Sequence, residues 1–371
     1  MSVRDGTFEY KSKGPVTTNW AQYAQAQICR FMNVVPEPDL PNRFTKTAPI
    51  GNTVKPVSEY LPLVGMAGFI IIVQVLALTM AVPMEAQGMQ AFEDTSSVWN
   101  VVWYVVIILL FTAFILFIIK TSKKYVLHAV ILFAVVATMY YVFIAFIDIG
   151  PNLVLPLGMI INVPSLVLTT ALAALLYKFP EWYVIDVTGV LVGAGASAIF
   201  GISFEVLPTI IFLIVLTVYD IISVYKTKHM ITLAEGVMEL HVPILFVVPK
   251  RKDYSFMKHD FSGKSDDGEK EERGAFFMGL GDAVMPTILV VSANVFLPLA
   301  YPDLPLIFGS VVLPAFFAAI GTLIGYAVLM VVVMGGKPQA GLPFLNTGAI
   351  LGYAAGCLIA GISVIPAMPV V

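Results

Sequence analysis

The sequence predicts an all-α polytopic membrane protein with nine transmembrane helices, a cytoplasmic N-terminus and a C-terminus outside. The first observation behind this prediction is composition: 58% of the 371 residues are hydrophobic and only 12% are charged, whereas a soluble domain has about 25% charged residues. The mean hydropathy of +0.89 agrees with that composition. The second observation is the number of long apolar runs, and the third is the placement of lysine and arginine between them.

Nine apolar runs are long enough to cross a bilayer, which takes about 20 residues. They lie near residues 61–83, 99–119, 126–147, 153–177, 182–201, 206–225, 275–299, 304–334 and 342–368. The eighth run is longer than a bilayer requires, so we expect that helix to be tilted or kinked.

Polar segments divide the chain into four parts. Residues 1–58 are predicted to form a flexible cytoplasmic tail, and their lack of a hydrophobic core segment argues against a cleavable signal peptide. Residues 59–225 hold helices one to six, and residues 275–371 hold helices seven to nine. Residues 226–274 form a cytoplasmic loop, predicted to be partly disordered because its second half is charged and polar. Within this loop, Val242–Val248 is predicted to form a short strand.

Lysine and arginine determine the predicted orientation. If the N-terminus is cytoplasmic, all 21 of these residues fall in the tail or on the cytoplasmic side of the membrane. Cytoplasmic loops of membrane proteins are enriched in lysine and arginine. Because one missed helix would scramble this alternation, the pattern supports both the orientation and the count of nine.

Small residues recur at every fourth position in two of the predicted helices. They are Gly189, Gly193, Ser197 and Gly201 in the fifth helix, and Gly348, Gly352, Gly356 and Ala360 in the ninth. Such ridges let helix backbones approach closely in lipid. We therefore predict that both ridges are packing surfaces.

Two aspartates lie inside predicted membrane helices, where ionisable side chains are costly and mark functional sites by default. Asp220 precedes Lys226, at the cytoplasmic end of the sixth helix, by a distance of roughly 9 Å along the helix axis. Asp282 follows Ala275, the predicted start of the seventh helix, by roughly 10 Å. The two carboxylates are therefore predicted at one depth, on helices that are consecutive and so often adjacent.

Two carboxylates a few ångströms apart cannot both ionise easily, so one keeps its proton while the other loses it. This state is what acid–base hydrolysis of an amide requires. Gly279 and Gly281 would allow a close approach by another backbone, and Pro286 would weaken the helix locally. Asp186, a few residues into the fifth helix, is a rival acid that we read as near-interfacial and structural.

Three short motifs make the chain similar to a known family. Tyr219-Asp220 in the sixth helix, Gly279-Leu280-Gly281-Asp282 in the seventh and Pro343-Phe344-Leu345 at the start of the ninth resemble the motifs of the presenilin and signal-peptide-peptidase family. Members are aspartyl proteases that cut within membranes, and the sequence is most similar to an archaeal presenilin homologue. The cytoplasmic N-terminus resembles presenilins, whereas Pro286 resembles the peptidase branch.

The resemblance implies that Asp220 and Asp282 are the catalytic pair. It implies a substrate-binding or supporting role for Tyr219, Gly279, Leu280, Gly281, Pro343, Phe344 and Leu345. Phe344 departs from the family, which has alanine there. The implied substrates are transmembrane helices in a lipid bilayer of the cell, and no cofactor or metal is implied.

A helical substrate hides its amides in intrahelical hydrogen bonds, so it must unwind before it is cut, and its freed backbone groups must be satisfied by protein. We expect extended backbone at Val242–Val248 and at Gly341–Leu345 to pair with the unwound substrate as added strands.

Other functions remain alternatives at this point. A zinc protease would need a His-Glu-x-x-His motif, which the four histidines do not form, and a serine mechanism has no supporting signature. The main alternative is a secondary transporter that uses the membrane aspartates as proton or cation sites. A third alternative is a membrane scaffold protein without catalytic activity. Nothing indicates nucleic acid, and homo-oligomers or accessory subunits stay open.

Overall fold

The computed structural model describes residues 61–121, 124–147, 152–154, 160–227, 245–250, 275–297, 303–306, 309–334 and 339–364. All of them belong to one of the two units of the chain, Lys55–Val371. The predicted tail at 1–58 and most of the predicted loop at 226–274 lie outside the described residues.

Nine α-helices account for most of the described residues. In chain order they are α1 Leu61–Ala86, α2 Val98–Lys120, α3 Lys124–Phe146, α4 Val163–Lys178, α5 Trp182–Ser203, α6 Val206–Ile221, α7 Leu280–Phe296, α8 Leu313–Val333 and α9 Leu342–Ala360. Seven of them are long and apolar enough to cross a membrane, and α4 and α7 are shorter apolar helices. The predicted helical, polytopic membrane architecture is confirmed. The count of nine crossings and the orientation of the termini stay predictions.

Three antiparallel strand pairs accompany the helices in the described part of the chain. They are β1 Asn152–Val154 with β2 Ile160–Asn162, β3 Leu245–Pro249 with β4 Ala275–Gly279, and β5 Asp303–Leu306 with β6 Gly309–Val312. The last strand of each pair leads directly into a helix, namely α4, α7 or α8.

These strands correct the predicted starts of three membrane runs. The fourth, seventh and eighth helices begin at Val163, Leu280 and Leu313, several residues later than the apolar runs do. An apolar strand has the same hydropathy as an apolar helical turn, so composition alone does not separate them. The β5–β6 hairpin accounts for the extra length of the eighth run, which therefore needs no tilt or kink.

Helix α5 forms the centre of the fold. It is the most buried of the seven long helices, and it packs against α1, α7 and β3. A methyl group added to Gly193 would lie 3.0 Å from the Leu280 side chain, and one added to Gly189 would lie 3.3 Å from the Phe246 ring. The small-residue ridge of the fifth helix is therefore a packing surface, as predicted.

The small-residue ridge of the ninth helix lies in the contact between α8 and α9. A methyl group on Gly348 would collide with the backbone of Gly321 on α8, and one on Gly356 would lie 2.7 Å from the Cα of Pro314. Because the obstacles are backbone atoms, no side-chain rotation would relieve the overlap. This close approach, which confirms the predicted packing role, brings the start of α9 against α8.

The strand pair β3–β4 leads into the Gly-x-Gly-Asp motif at residues 279–282. Its register runs from Leu245 opposite Gly279 to Pro249 opposite Ala275. The strand predicted within Val242–Val248 is thus confirmed from Leu245 onward, while residues 242–244 lie outside the described residues. β4 ends at Gly279, and α7 begins at the next residue.

Candidate active site

Asp220 lies near the end of α6 and is buried, with 4% of its surface exposed. Its Oδ2 accepts a hydrogen bond from the backbone N–H of Leu342, at 3.2 Å. A π-helical segment, Ile222–Thr227, follows α6 directly. Such π turns are rare and are frequent at functional sites.

Asp282 lies in the first turn of α7. The sequence placed it almost two turns inside a helix, but Ala275–Gly279 is a strand, so the helix begins only at Leu280. The first turn of a helix carries the positive end of the helix dipole, which interacts favourably with a carboxylate. The aspartate therefore stands where a strand meets a helix, rather than in the middle of a helix.

The two carboxylates meet at the peptide that joins Gly341 to Leu342. Asp220 holds the Leu342 N–H. Asp282 lies against Gly341, since a Cβ built on Gly341 would be 2.6 Å from Oδ1 and 2.8 Å from Oδ2 of Asp282. The structure thus places both predicted aspartates against one peptide at the start of α9, and their role as a catalytic pair stays a prediction.

Gly341 is predicted from the sequence only as the first residue of an extended segment, whereas in the structure it lies against the Asp282 carboxylate. Its backbone angles, φ −80° and ψ −46°, are accessible to every amino acid. Glycine is needed there for space, because any side chain would run into the Asp282 carboxylate. The available signal was its position directly before the Leu342-Pro343 step that opens α9.

The three residues before Asp282 occupy different surroundings. A Cβ on Gly279 would make an ordinary contact with Asp282 Oδ2, at 3.5 Å, whereas one on Gly281 would meet none of the described residues within 4 Å. Gly281 is also exposed, so open space adjoins this side of the aspartate. Leu280 instead packs against Gly193 of α5, which makes it an anchor of the helix start.

The Pro343-Phe344-Leu345 motif is helical, so the expectation of extended backbone at Gly341–Leu345 is wrong. Helix α9 begins at Leu342, and proline is favoured in a first helical turn because its missing N–H is not needed there. Leu345 is fully buried, and Phe344 is half-buried against the same apolar cluster. Tyr219, next to Asp220, is half-buried.

Asn346 connects the start of α9 to the helix that carries Asp220. Its side-chain amide donates to the backbone oxygen of Leu213 at 3.3 Å and to Thr217 Oγ1 at 3.1 Å, both on α6. These bonds hold α6 and α9 together near the Leu342 N–H. They therefore support the geometry of the site without touching either carboxylate.

We expect Asn346→Leu to destabilise the protein, because the variant loses both interhelical hydrogen bonds. Such bonds contribute about 0.6–1.7 kcal/mol in membrane proteins, so the midpoint of thermal unfolding in detergent should fall. Thr217→Val, which removes the acceptor of one of the two bonds and leaves the Leu213 backbone acceptor in place, is the matched comparison and should lower the midpoint less. An unchanged midpoint for Asn346→Leu would show that these bonds do not hold α9 to α6.

Comparisons with known proteins agree on one family. The family model for signal-peptide peptidase and presenilin aspartyl protease matches residues 67–362. Two solved structures of a presenilin family intramembrane aspartate protease, in space groups C222 and P2, are 36% and 38% identical to this chain, with TM-scores of 0.55 and 0.57. Each comparison covers 81% of this chain and 100% of the solved chain. No curated protein sequence matches.

Proposed function

Because the chain belongs to the signal-peptide-peptidase and presenilin family of intramembrane aspartyl proteases, we propose that it hydrolyses peptide bonds within transmembrane segments of other membrane proteins. It is an integral, multi-pass membrane protein. The observation that carries the proposal is the meeting of the Asp220 and Asp282 carboxylates at the Gly341–Leu342 peptide. The open space beside Gly281 offers a place for a substrate backbone.

In this proposal the two aspartates share one proton. The ionised carboxylate takes a proton from water, whose oxygen attacks the carbonyl carbon of the peptide, while the protonated carboxyl group donates to the carbonyl oxygen. When the C–N bond breaks, the carboxyl group that took the water proton gives it to the amide nitrogen, which leaves as an amine. The other carboxylate takes back its proton from the former carbonyl oxygen, so the new acid carries the water oxygen and the pair again shares one proton. One carboxylate cannot supply both proton transfers at once, so the proposal requires the pair.

The substrate must unwind near the site, and we propose that its backbone adds to the β3–β4 strand pair. Val247 donates its N–H to Asp186, so the outer side of β3 is already occupied at the middle of that strand. β4 leads directly into α7, whose first turn carries Asp282. A substrate strand added along β4 would therefore run toward the carboxylate pair.

Strand addition predicts that the amides of β4 exchange hydrogen more slowly when a membrane-span reporter is bound. The Asp220→Asn variant, which should bind the reporter without cutting it, allows this measurement in detergent. Unchanged exchange of the β4 amides on adding the reporter would argue against strand addition at β4.

A single-span reporter peptide incubated with purified protein in detergent tests the proposed function. Proteolysis needs no ion gradient, so the reporter should be cut within its span in detergent alone. A secondary transporter would leave the reporter intact, and in sealed vesicles it would instead move protons or cations along a gradient. An intact reporter together with gradient-dependent transport would overturn the proposal.

A further inference from the structure

A third acid, Asp186 on α5, is buried close to the strand pair and has no part in the proposed chemistry. Only 3% of its surface is exposed, and it lies in the second turn of α5, which begins at Trp182. Its Oδ1 accepts the N–H of Val247, in the middle of β3, at 2.8 Å. Its Oδ2 has no hydrogen-bond partner among the described residues. A buried carboxyl group is costly, so its single bond to the strand needs an explanation.

The same face of α5 holds both β3 and the start of α7. Residues 186, 189 and 193 are spaced by three and four positions, which places them on one side of the helix. Asp186 binds the β3 backbone, Gly189 receives the Phe246 ring of β3, and Gly193 receives Leu280 of α7. Helix α5 therefore contacts β3, the partner strand of β4, and the helix start that directly follows β4.

Asp282 depends on these attachments for its position. It stands in the first turn of α7, and no side chain caps the start of that helix. β4 leads directly into α7 and is itself held by β3 through five residue pairs. A shift of β3 along α5 would consequently move β4, the helix start and the Asp282 carboxylate, which has little room beside Gly341.

We propose that Asp186 is a positioning residue for the protease reaction. Its carboxyl oxygen fixes β3 on α5 and thereby holds the Asp282 carboxylate at the Gly341–Leu342 peptide. This inference rests on the proposed function, because it assigns Asp186 a role in the reaction of that same site. Asp186 acts only as a hydrogen-bond acceptor, so an amide oxygen in its place serves equally well.

Asp186→Asn and Asp186→Leu separate this role from others. The asparagine variant keeps an acceptor for Val247 N–H, and we expect its turnover of the reporter to stay within about three-fold of the native protein. The leucine variant has no acceptor. Its kcat should fall roughly ten- to a hundred-fold, the range that a misplacement of about 1 Å causes, with a smaller change in KM.

Thr209→Val is the matched control for loss of a buried hydrogen bond. Thr209 is fully buried in the first turn of α6, where its hydroxyl bonds Phe204 O and Ser292 Oγ. This variant should lose thermal stability without losing turnover. Hydrogen exchange provides the second readout: the amides of β3 should exchange faster in Asp186→Leu and at the native rate in Asp186→Asn.

Two results would overturn the inference while leaving the proposed function intact. The first is native turnover in Asp186→Leu, and the second is an equal loss in a well-folded Asp186→Asn, which would mean that the acid itself is needed. If the native protein cuts no reporter, the proposed function fails instead. In that case, if the β3 amides of Asp186→Leu exchange hydrogen at the native rate, the positioning role is also overturned, because the position of the strand would not depend on Asp186.

Discussion

Asp220→Asn and Asp282→Asn should each reduce cleavage of a membrane-span reporter by roughly 10²–10⁴-fold, the usual contribution of general acid–base catalysis. Asparagine has nearly the shape of aspartate but does not exchange a proton with water or with the leaving amine. In the asparagine variant at position 220, the side-chain oxygen can still accept the Leu342 N–H that Asp220 now binds. The initial rate of reporter cleavage in detergent, measured alongside thermal unfolding, checks the expectation.

The double variant distinguishes a pair from two independent groups. Residues that act as one unit give strongly non-additive effects, so Asp220→Asn with Asp282→Asn should be no slower than either single variant. Substantial turnover in one single variant would mean that this aspartate is structural. Asp186 would then become the next acid to examine in the catalytic role.

Substitution of Gly341 should lower cleavage in proportion to the size of the new side chain. A Cβ at this position falls 2.6–2.8 Å from the carboxylate of Asp282, closer than unbonded atoms approach. We expect Gly341→Ala to displace that carboxylate and Gly341→Val to displace it further, with a loss of roughly a hundred-fold for valine. Initial rates for the two variants and the native protein provide the measurement.

Gly68→Ala is the matched control for this series. Gly68 lies within α1, and a Cβ there meets nothing within 4 Å, so the variant should cut the reporter at the native rate. Thermal unfolding of Gly341→Val should stay close to native, because the obstacle is a side chain that can move rather than a backbone. If Gly341→Val cuts as fast as the native protein, Asp282 does not depend on the space beside Gly341.

The helical membrane architecture was predictable because its signals are strong. A span needs about 20 apolar residues, and an ionisable side chain inside such a span is rare because its burial in the membrane costs free energy. Asp220 and Asp282 were therefore identified together. The orientation of the chain is still a prediction that rests on lysine and arginine.

The elements that the sequence did not reveal lack such signals. Strand β4 and the β5–β6 hairpin are as apolar as the helices that follow them, so they were assigned to the membrane runs. Gly341 has neither charge nor side chain, and its role exists only because Asp282 lies against it. Asp186 was visible as an acid, but its partner Val247 is 61 residues away in sequence, a contact that no local pattern encodes.

Mass spectrometry of reporter fragments formed in ¹⁸O-labelled water tests whether Asp220 and Asp282 hydrolyse a peptide bond inside a membrane span. We expect a cut inside the span, with one ¹⁸O atom in the new C-terminal carboxyl group. We also expect these fragments to be absent when Asp220→Asn or Asp282→Asn replaces the native protein. Fragments cut outside the span, fragments without the label, or the same labelled fragments from either variant would contradict this expectation.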